Sequence, residues 1–282
     1  MKYCVLGESL KHTMSPPIHK RLFEIKGRKA EYEVVELTGD KLKENEGYFD
    51  SLGGYNITIP HKLAIMELCD KLDATAVRYG AVNCVDNKNG VSTGYNTDCD
   101  GFVMSIRLMG ATLSGKVLLV GCGGVGRMIA TECAMAGADL TIAVLQSDME
   151  MAKAAVEKIR ALDECKSKNI SLITIDSIPA DEKFDLIVNA TPVGMYPKAD
   201  ACPLKEEIIK NCSYAFDVIY NPIQTKFLKI AKENGAKVMG GMAMLVLQAV
   251  SAHTIWDGDT YTDDEINAII SEMESAVERD FK

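Results

Sequence analysis

Short apolar runs rich in β-branched residues alternate with helical patterning along almost the whole chain. Four runs, YCVL (3–6), YEVVEL (32–37), YNITI (55–59) and AVNCV (81–85), read as strands, and a hairpin turn, NKNG, leads from the last into VSTGY. Helices are expected to start at Ser15-Pro16, a serine cap followed by a first-turn proline, and again after His61. Beyond GYNTDCDGF a helix-like segment runs to Gly110. The stretch GKVLLVGCGGVGRMIATECAMAGADLTIAV then reads as strand, glycine turn, helix and strand, with further strands at SLITI, DLIVNAT and YAFDVIY. The tail, GMAMLVLQAVSAHTIW and DDEINAIISEMESAVERDF, reads as two helices with no strand between them. Such alternation predicts an α/β protein with a parallel, doubly wound sheet. The pattern divides near residue 100 into two α/β units, with a helical tail that must cover one of them. A cleft between two such units is the expected seat of a ligand.

At 282 residues the chain is long for one domain, which agrees with two units. Hydrophobic residues at 47% and charged residues at 25% describe an ordinary globular protein. The net charge of −9 argues against nucleic acid or an acidic membrane as a partner, while leaving room for a small anion in a local pocket. The nine cysteines form no C-x-x-C pair and no run with histidine at metal spacing. No metal site is expected, and the scatter fits reduced thiols in the cytoplasm. The apolar run in MKYCVLGESL is too short for a signal-peptide core, and MAMLVLQAV falls far below a membrane span. The expectation is a cytoplasmic monomer or homodimer acting on a small molecule.

Gly121, Gly123 and Gly126 spell G-x-G-x-x-G directly after the apolar Val117–Val120 and open a helix. In that setting the glycines let the backbone approach a pyrophosphate at a positive helix N-terminus. Arg127 either touches a phosphate or is a solvated helix-face cation. Residues 137–150, GADLTIAVLQSDME, then break the pattern. An NAD site usually places an acid about twenty residues beyond the first glycine, and an NADP site places a base there. Asp139 is near that count but stands at the wrong end of the strand. Val144 and Leu145 fall in the expected place, followed by Gln146, Ser147 and Asp148. Gln146 and Ser147 can hydrogen-bond either ribose, whereas Asp148 would repel a 2′-phosphate if it faces the pocket.

Other candidates stand singly. HTMSPPIH places Thr13 and Ser15 just before a helix, where Ser15 is either an N-cap or, with Thr13, part of a carboxylate seat. YNITIPHK ends a strand with Asn56 and Thr58 on one face and Lys62 just past the proline, either solvated or held in a site. Asn83 lies in the apolar AVNCV, and Asp98 at a turn that either caps the next helix or faces a site.

In their order and spacing, HTMSPPIH, YNITIPHK, GAVNCV, GYNTDCDGF, GCGGVG, VNATPVGM, DVIYNP and GGMAMLVLQA resemble the shikimate dehydrogenase family over almost the full chain. The resemblance implies an N-terminal α/β substrate domain, residues 1–101 plus 240–282, and a Rossmann-type dinucleotide-binding domain, residues 102–239. It implies reversible reduction of 3-dehydroshikimate to shikimate in aromatic amino-acid biosynthesis, usually with NADPH, or in relatives oxidation of quinate. Lys62 and Asp98 would be the catalytic pair. Thr13 and Ser15 would hold the substrate carboxylate, and Thr58, Asn83, Asp98 and Gln248 would bind or orient ring hydroxyls. Tyr220 would lie where ring and nicotinamide meet. Cofactor binding would fall to Gly121, Gly123, Gly124, Gly126, Arg127 and Thr191, with Gly241 and Met244 lining the nicotinamide end. The chemistry asks for such a set. Hydride transfer to a carbonyl leaves an alkoxide, which a lysine ammonium neutralises and protonates while a carboxylate orients the lysine.

Three positions depart from the family's pattern. Thr13 stands where serine is common, adding a methyl group that bears on the choice between shikimate and quinate. His61 replaces a usual aromatic beside the lysine and reads as packing rather than proton relay. Val144-Leu145-Gln146 replaces the Asn-Arg-Ser/Thr type of the NADP members, so preference for NADP over NAD is expected to be weak or reversed, with poor affinity for both. Two other readings stay open: a quinate or amino-quinate dehydrogenase, and a non-catalytic shikimate-binding relative with weakened nucleotide binding.

Overall fold

The structure, a computed structural model, describes residues 1–11 and 13–280. The chain opens with β1 (Lys2–Gly7), α1 (Ser15–Ile25), β2 (Glu31–Glu36), α2 (Glu46–Asp50), β3 (Gly54–Ile57), β4 (Lys71–Leu72), α3 (Ala74–Tyr79), β5 (Cys84–Lys88) and β6 (Val91–Tyr95). These strands form one sheet in the order β2-β1-β3-β5-β6-β4. Strand β1 pairs parallel with β2 and β3, the first crossover being α1. Strand β5 runs antiparallel to both β3 and β6. The first sheet is therefore mixed, with the expected NKNG hairpin supplying its antiparallel β5-β6 pair. The cause is local: Asn89 and Gly90 both adopt positive φ, 55° and 72°, and close a two-residue hairpin whose twist matches its strands.

Side chains alternate across this sheet as a strand requires. Cys4, Leu6, Tyr55, Ile57, Val82 and Val85 join one cluster. Tyr3 and Cys84 join another with Phe23 of α1. Helix α1 buries Ile18, His19, Leu22 and Phe23, the spacing of one helical face.

The chain continues with α4 (Asp98–Leu108), β7 (Lys116–Val120), α5 (Gly124–Ala136), β8 (Asp139–Val144), α6 (Met149–Arg160), β9 (Asn169–Thr174), β10 (Phe184–Asn189), α7 (Glu206–Ile209), β11 (Cys212–Asp217), α8 (Lys226–Glu233) and β12 (Lys237–Met239). Here the predicted doubly wound sheet is complete, with order β12-β11-β10-β7-β8-β9 and every pair parallel. Residues Val117 to Val120 are fully buried, as befits a strand covered on both faces. Strand order reverses between β7 and β10, and ligands of such sheets bind beyond the carboxyl ends of the strands at that reversal.

Two helices, α9 (Gly241–Asp257) and α10 (Asp263–Asp280), end the described chain. Phe281, assigned to the tail helix by its pattern, and Lys282 lie outside the described residues. By contacts, Met1–Gly101 and Leu245–Met273 form one compact unit, and Phe102–Met244 with Glu274 onward the other. Trp256 of α9 joins the Tyr3 cluster and donates from Nε1 to the Val85 carbonyl at 2.8 Å.

Three local expectations are corrected. The stretch after His61 forms a 3₁₀ turn, Ala64–Leu68, rather than an α-helix. It leaves a proline turn and must reach β4 within a few residues, too short a span for an α-helix to persist. Asn83 stands one residue before β5 rather than inside a strand, though its carbonyl accepts from Ile57 N at 2.9 Å and its N–H donates to Tyr95 O at 3.0 Å. Ser15 is the first helical residue of α1 rather than its cap; Met14 holds the cap position without a side-chain bond. Among the described residues no helix is long and apolar enough to cross a membrane.

Candidate functional site

Topology gathers the substrate candidates of the first unit at one edge of its sheet. Strands β1 and β3 are parallel, so Thr13 and Ser15 follow the carboxyl end of one, and Thr58 that of the other. Strand β5 is antiparallel to β3, which brings its amino end, and Asn83 before it, to the same edge. Strand β6 turns back, so Asp98 after its carboxyl end arrives there too. Lys62 is held by its backbone, the carbonyl accepting from Val82 N at 2.8 Å.

The side chains then meet. Lys62 Nζ donates to Asp98 Oδ2 at 2.6 Å, with side-chain exposures of 25% and 20%, so the pair is open to a ligand without being free in water. Asn83 Nδ2 donates to the other carboxylate oxygen at 2.9 Å. Asp98 opens α4, where the helix dipole favours an anion, and its N–H donates to Asn96 Oδ1 at 3.1 Å. Asn83 Oδ1 accepts from Thr97 N at 2.7 Å. The Thr97 hydroxyl donates to Gln248 Oε1 at 3.4 Å, and Gln248 Nε2 donates to the Leu245 carbonyl at 2.9 Å. A primary amide has a second N–H to offer a ligand. Lys62, Asp98, Asn83 and Gln248 thus form one connected set with Thr97 as the link.

Thr13 accepts at Oγ1 from Ser15 N at 3.3 Å, so the two hydroxyl residues share the entry to α1. Thr58 donates its N–H to Leu6 O at 2.9 Å. His61 is buried and its Nε2 bonds to the Leu37 carbonyl at 2.7 Å, the structural role expected of it. Sequence reasoning missed Thr97 and Tyr32. The Tyr32 hydroxyl donates to Asn56 Oδ1 at 2.7 Å, and Asn56 Nδ2 reaches Asn83 O at 3.4 Å. Thr97 was visible only as the neighbour of Asp98 in GYNTD; nothing in YEVVEL marks Tyr32 as other than core.

The second unit carries the glycine loop. Gly121 leaves β7 with φ of +92°, and a Cβ on Gly126 would sit 2.5 Å from the Gly121 carbonyl oxygen, so the turn closes only on glycine. Gly123 caps α5 without a side-chain bond, and a Cβ at Gly123 or Gly124 would meet nothing within 4 Å. Open space over uncapped N–H groups fits the pyrophosphate of a dinucleotide. Thr191 presses on the same loop: its Cγ2 lies 2.7 Å from where a Gly121 Cβ would be. Tyr220 follows β11, and burial raises its phenol above the ordinary value. Gly241 and Met244 occupy the first turn of α9, Gly241 donating its N–H to Ile219 O at 3.0 Å.

The ribose end fits less. Val144 is buried and Leu145 is 59% exposed, followed by a 3₁₀ turn, Gln146–Asp148. The Ser147 hydroxyl donates to Asp148 Oδ1 at 3.0 Å. The next cation along the chain, Lys153, pairs with Glu150 at 2.6 Å. Arg127 Nη1 lies 3.9 Å from Met151 Sδ at the start of α6. The loop offers a ribose hydroxyl polar partners and a 2′-phosphate no cation of its own. Among the described residues no group of three or more His, Cys, Asp or Glu side chains converges to hold a metal.

Substituting Gly126 by alanine is expected to weaken dinucleotide binding about tenfold or more, because the new methyl must push the Gly121 carbonyl out of the turn. Titrating NADH by fluorescence checks this.

Residues 5–85 match the shikimate dehydrogenase substrate binding domain. The chain is 35% identical over 263 residues to the shikimate dehydrogenase (NADP(+)) of Caldanaerobacter subterraneus subsp. tengcongensis, covering 92% of each. It superposes on a chorismate mutase/shikimate 5-dehydrogenase fusion protein from Clostridium acetobutylicum with a TM-score of 0.86 and 31% identity, over 98% of both chains. With shikimate 5-dehydrogenase from Listeria monocytogenes, solved in complex with shikimate and NAD, the TM-score is 0.85 and the identity 28%, over 95% of this chain and 96% of that one. On this agreement of motifs, geometry and relatives, the chain belongs to the shikimate dehydrogenase family.

Proposed function

We propose that this protein is a shikimate dehydrogenase, interconverting 3-dehydroshikimate and shikimate in the cytoplasm as a monomer or homodimer. The single observation that carries the reading is the Lys62–Asp98–Asn83 chain of hydrogen bonds at a partly open sheet edge. A bound nicotinamide supplies or removes the hydride. Lys62 Nζ donates the proton that quenches the alkoxide on the ketone oxygen, and takes it back in the oxidation. Asp98 holds the ammonium on one oxygen and accepts a neighbouring ring hydroxyl. Asn83, itself fixed by Thr97, keeps the carboxylate from rotating. Gln248 and Thr58 bind further hydroxyls, and Thr13 with Ser15 takes the carboxylate through neutral donors beside the N-terminus of α1.

A ring alcohol bearing a carboxylate and vicinal hydroxyls matches this donor set, whichever of shikimate and quinate is used. The methyl group of Thr13 narrows the carboxylate end, which favours the flatter shikimate ring over quinate with its extra hydroxyl. The purified protein is expected to oxidise shikimate with a kcat/KM at least tenfold above that for quinate. Quinate turned over faster would make it a quinate dehydrogenase. Shikimate bound without turnover under either nucleotide would make it a binding protein.

For the cofactor, the glycine loop supports a dinucleotide and the loop after β8 does not favour its 2′-phosphorylated form. Preference for NADP over NAD is therefore weak or reversed in this chain, although the Caldanaerobacter relative carries NADP(+) in its name.

A further inference from the structure

Asp217 has no part in the chemistry above, yet it is among the most completely bonded side chains of the second unit. It ends β11, is fully buried, and among the described residues has no cation bonded to it. Oδ1 accepts from Asn189 Nδ2 at 3.1 Å and from Ile219 N at 3.0 Å; Oδ2 accepts from the Thr225 hydroxyl at 2.7 Å. Burial without a counter-charge raises its carboxyl to about 6 against these three donors, which pull the other way. A carboxylic acid kept at such expense in a β-strand end calls for a purpose that valine would not serve.

Its partners lead to the nucleotide. Asn189, fully buried at the end of β10, turns its amide oxygen toward Thr191, accepting from Thr191 N at 3.0 Å and from its hydroxyl at 2.7 Å. Thr191 is the residue pressed against Gly121. Asn189 Nδ2 also reaches the Val193 carbonyl at 3.3 Å, and Val193 N bonds the Thr191 hydroxyl at 3.2 Å, so the whole 189–193 turn hangs from one amide. That amide can serve Thr191 with its oxygen only while its nitrogen faces acceptors, and Asp217 is the nearer of the two, at 3.1 Å against 3.3 Å for the Val193 carbonyl. On the other side, Asp217 bonds the Ile219 N–H, and the Ile219 carbonyl accepts from Gly241 N. One carboxylate thereby sets two turns: the one that backs the glycine loop and the one that seats the first turn of α9.

We infer that Asp217 is a positioning residue for the dinucleotide, fixing the orientation of the Asn189 amide and through it the place of Thr191 against the glycine loop. The inference rests on the proposed dehydrogenase reading for the identity of the ligand. Being fully buried, Asp217 itself touches no nucleotide. In Asp217→Ala the Asn189 nitrogen loses the nearer of its two acceptors and keeps the Val193 carbonyl at 3.3 Å, so the turn it holds is less firmly placed against the loop. In Asp217→Asn the new amide oxygen still accepts from Asn189 and Ile219, and its nitrogen donates to the Thr225 hydroxyl, so the geometry survives with weaker, uncharged bonds.

The test is NADH binding followed by fluorescence and shikimate binding followed by calorimetry, on the full chain. Asp217→Asn is expected to raise the Kd for NADH about five- to tenfold, Asp217→Ala about fiftyfold, with the Kd for shikimate within twofold in both. Thr191→Ala is expected to weaken NADH in the native background and to cost less in Asp217→Asn, since both changes act on one turn. A purely structural carboxylate would lower the melting temperature and leave NADH binding of the folded fraction unchanged. Should Asp217→Ala not fold, Asp217→Asn decides: a Kd for NADH within twofold of the native value, or full additivity with Thr191→Ala, overturns the inference. Absence of shikimate turnover in the native protein would instead overturn the dehydrogenase reading, because NADH binding is measured without substrate.

Discussion

Replacing Lys62 by alanine is expected to lower kcat for shikimate oxidation about a thousandfold, the middle of the range that a positioned proton donor contributes. The substitution removes the only group in the Asp98–Asn83–Thr97–Gln248 set able to donate a proton with a positive charge behind it. Alkoxide formation then has neither a counter-charge nor a proton within reach. Binding should suffer far less, because the ring keeps Asp98, Asn83, Gln248 and the hydroxyls of Thr13 and Ser15. The Kd for shikimate is expected to stay within about fivefold, the change in one partly exposed ion pair and its hydrogen bond being about 1 kcal/mol. Steady-state rates together with calorimetric titration separate the two effects. A variant that kept more than a tenth of native turnover would remove Lys62 from the chemistry.

The second large effect concerns the ribose loop. With NAD and NADP compared in the same buffer, kcat/KM for NADP is expected to exceed that for NAD only weakly or to fall below it, and Leu145→Arg is expected to raise the NADP value about ten- to a hundredfold. Leu145 follows β8 at 59% exposure, so a longer side chain enters solvent and displaces no core. A guanidinium there would form a charge-assisted pair with a 2′-phosphate, which contributes about 1.5–3 kcal/mol against 1.4 kcal/mol per tenfold of affinity. NAD, carrying a hydroxyl at that place, should respond by less than threefold. The gain should shrink as salt is raised, since the site is exposed. Two features bear on the native preference in opposite senses: Asp148, whose carboxylate caps the Ser147 hydroxyl in the loop, and Arg127, which extends toward Met151. A hundredfold native advantage for NADP would mean that Arg127 supplies the missing charge, and Arg127→Met would then abolish it.

Much of this molecule is local in origin. The β7-α5-β8 segment was readable because its apolar run, its glycine spacing and the helical period after it follow each other between Lys116 and Val144, and each is a property of neighbours in the chain. The NKNG hairpin was readable for the same reason. The motifs naming Lys62, Asp98, Asn83 and Gln248 lay in plain view through resemblance, one at a time. The helix expected after His61 failed where a local pattern met a distant demand, the strand β4 having to join β6 on the far edge of the sheet.

What the chain order could not settle is which of these residues touch. Lys62 and Asp98 are 36 positions apart, and Thr97 and Gln248 are 151 apart. Their meeting depends on strand register: β5 antiparallel to β3 brings Asn83 to the edge that Thr58 leaves, and a parallel β5 would have sent it to the opposite one. Asp217 and Asn189 were invisible as a pair because each ends an ordinary apolar strand, and only β10 lying beside β11 in register sets Asn189 opposite Asp217. Sequence alone determined the period, the turns and the kinds of chemistry available, since these arise from bonds and sterics within a few residues. Only the tertiary structure decided the pairing of charges and amides, because a hydrogen bond is specified by a few ångströms in space and the chain reaches that precision through the sheets it has built.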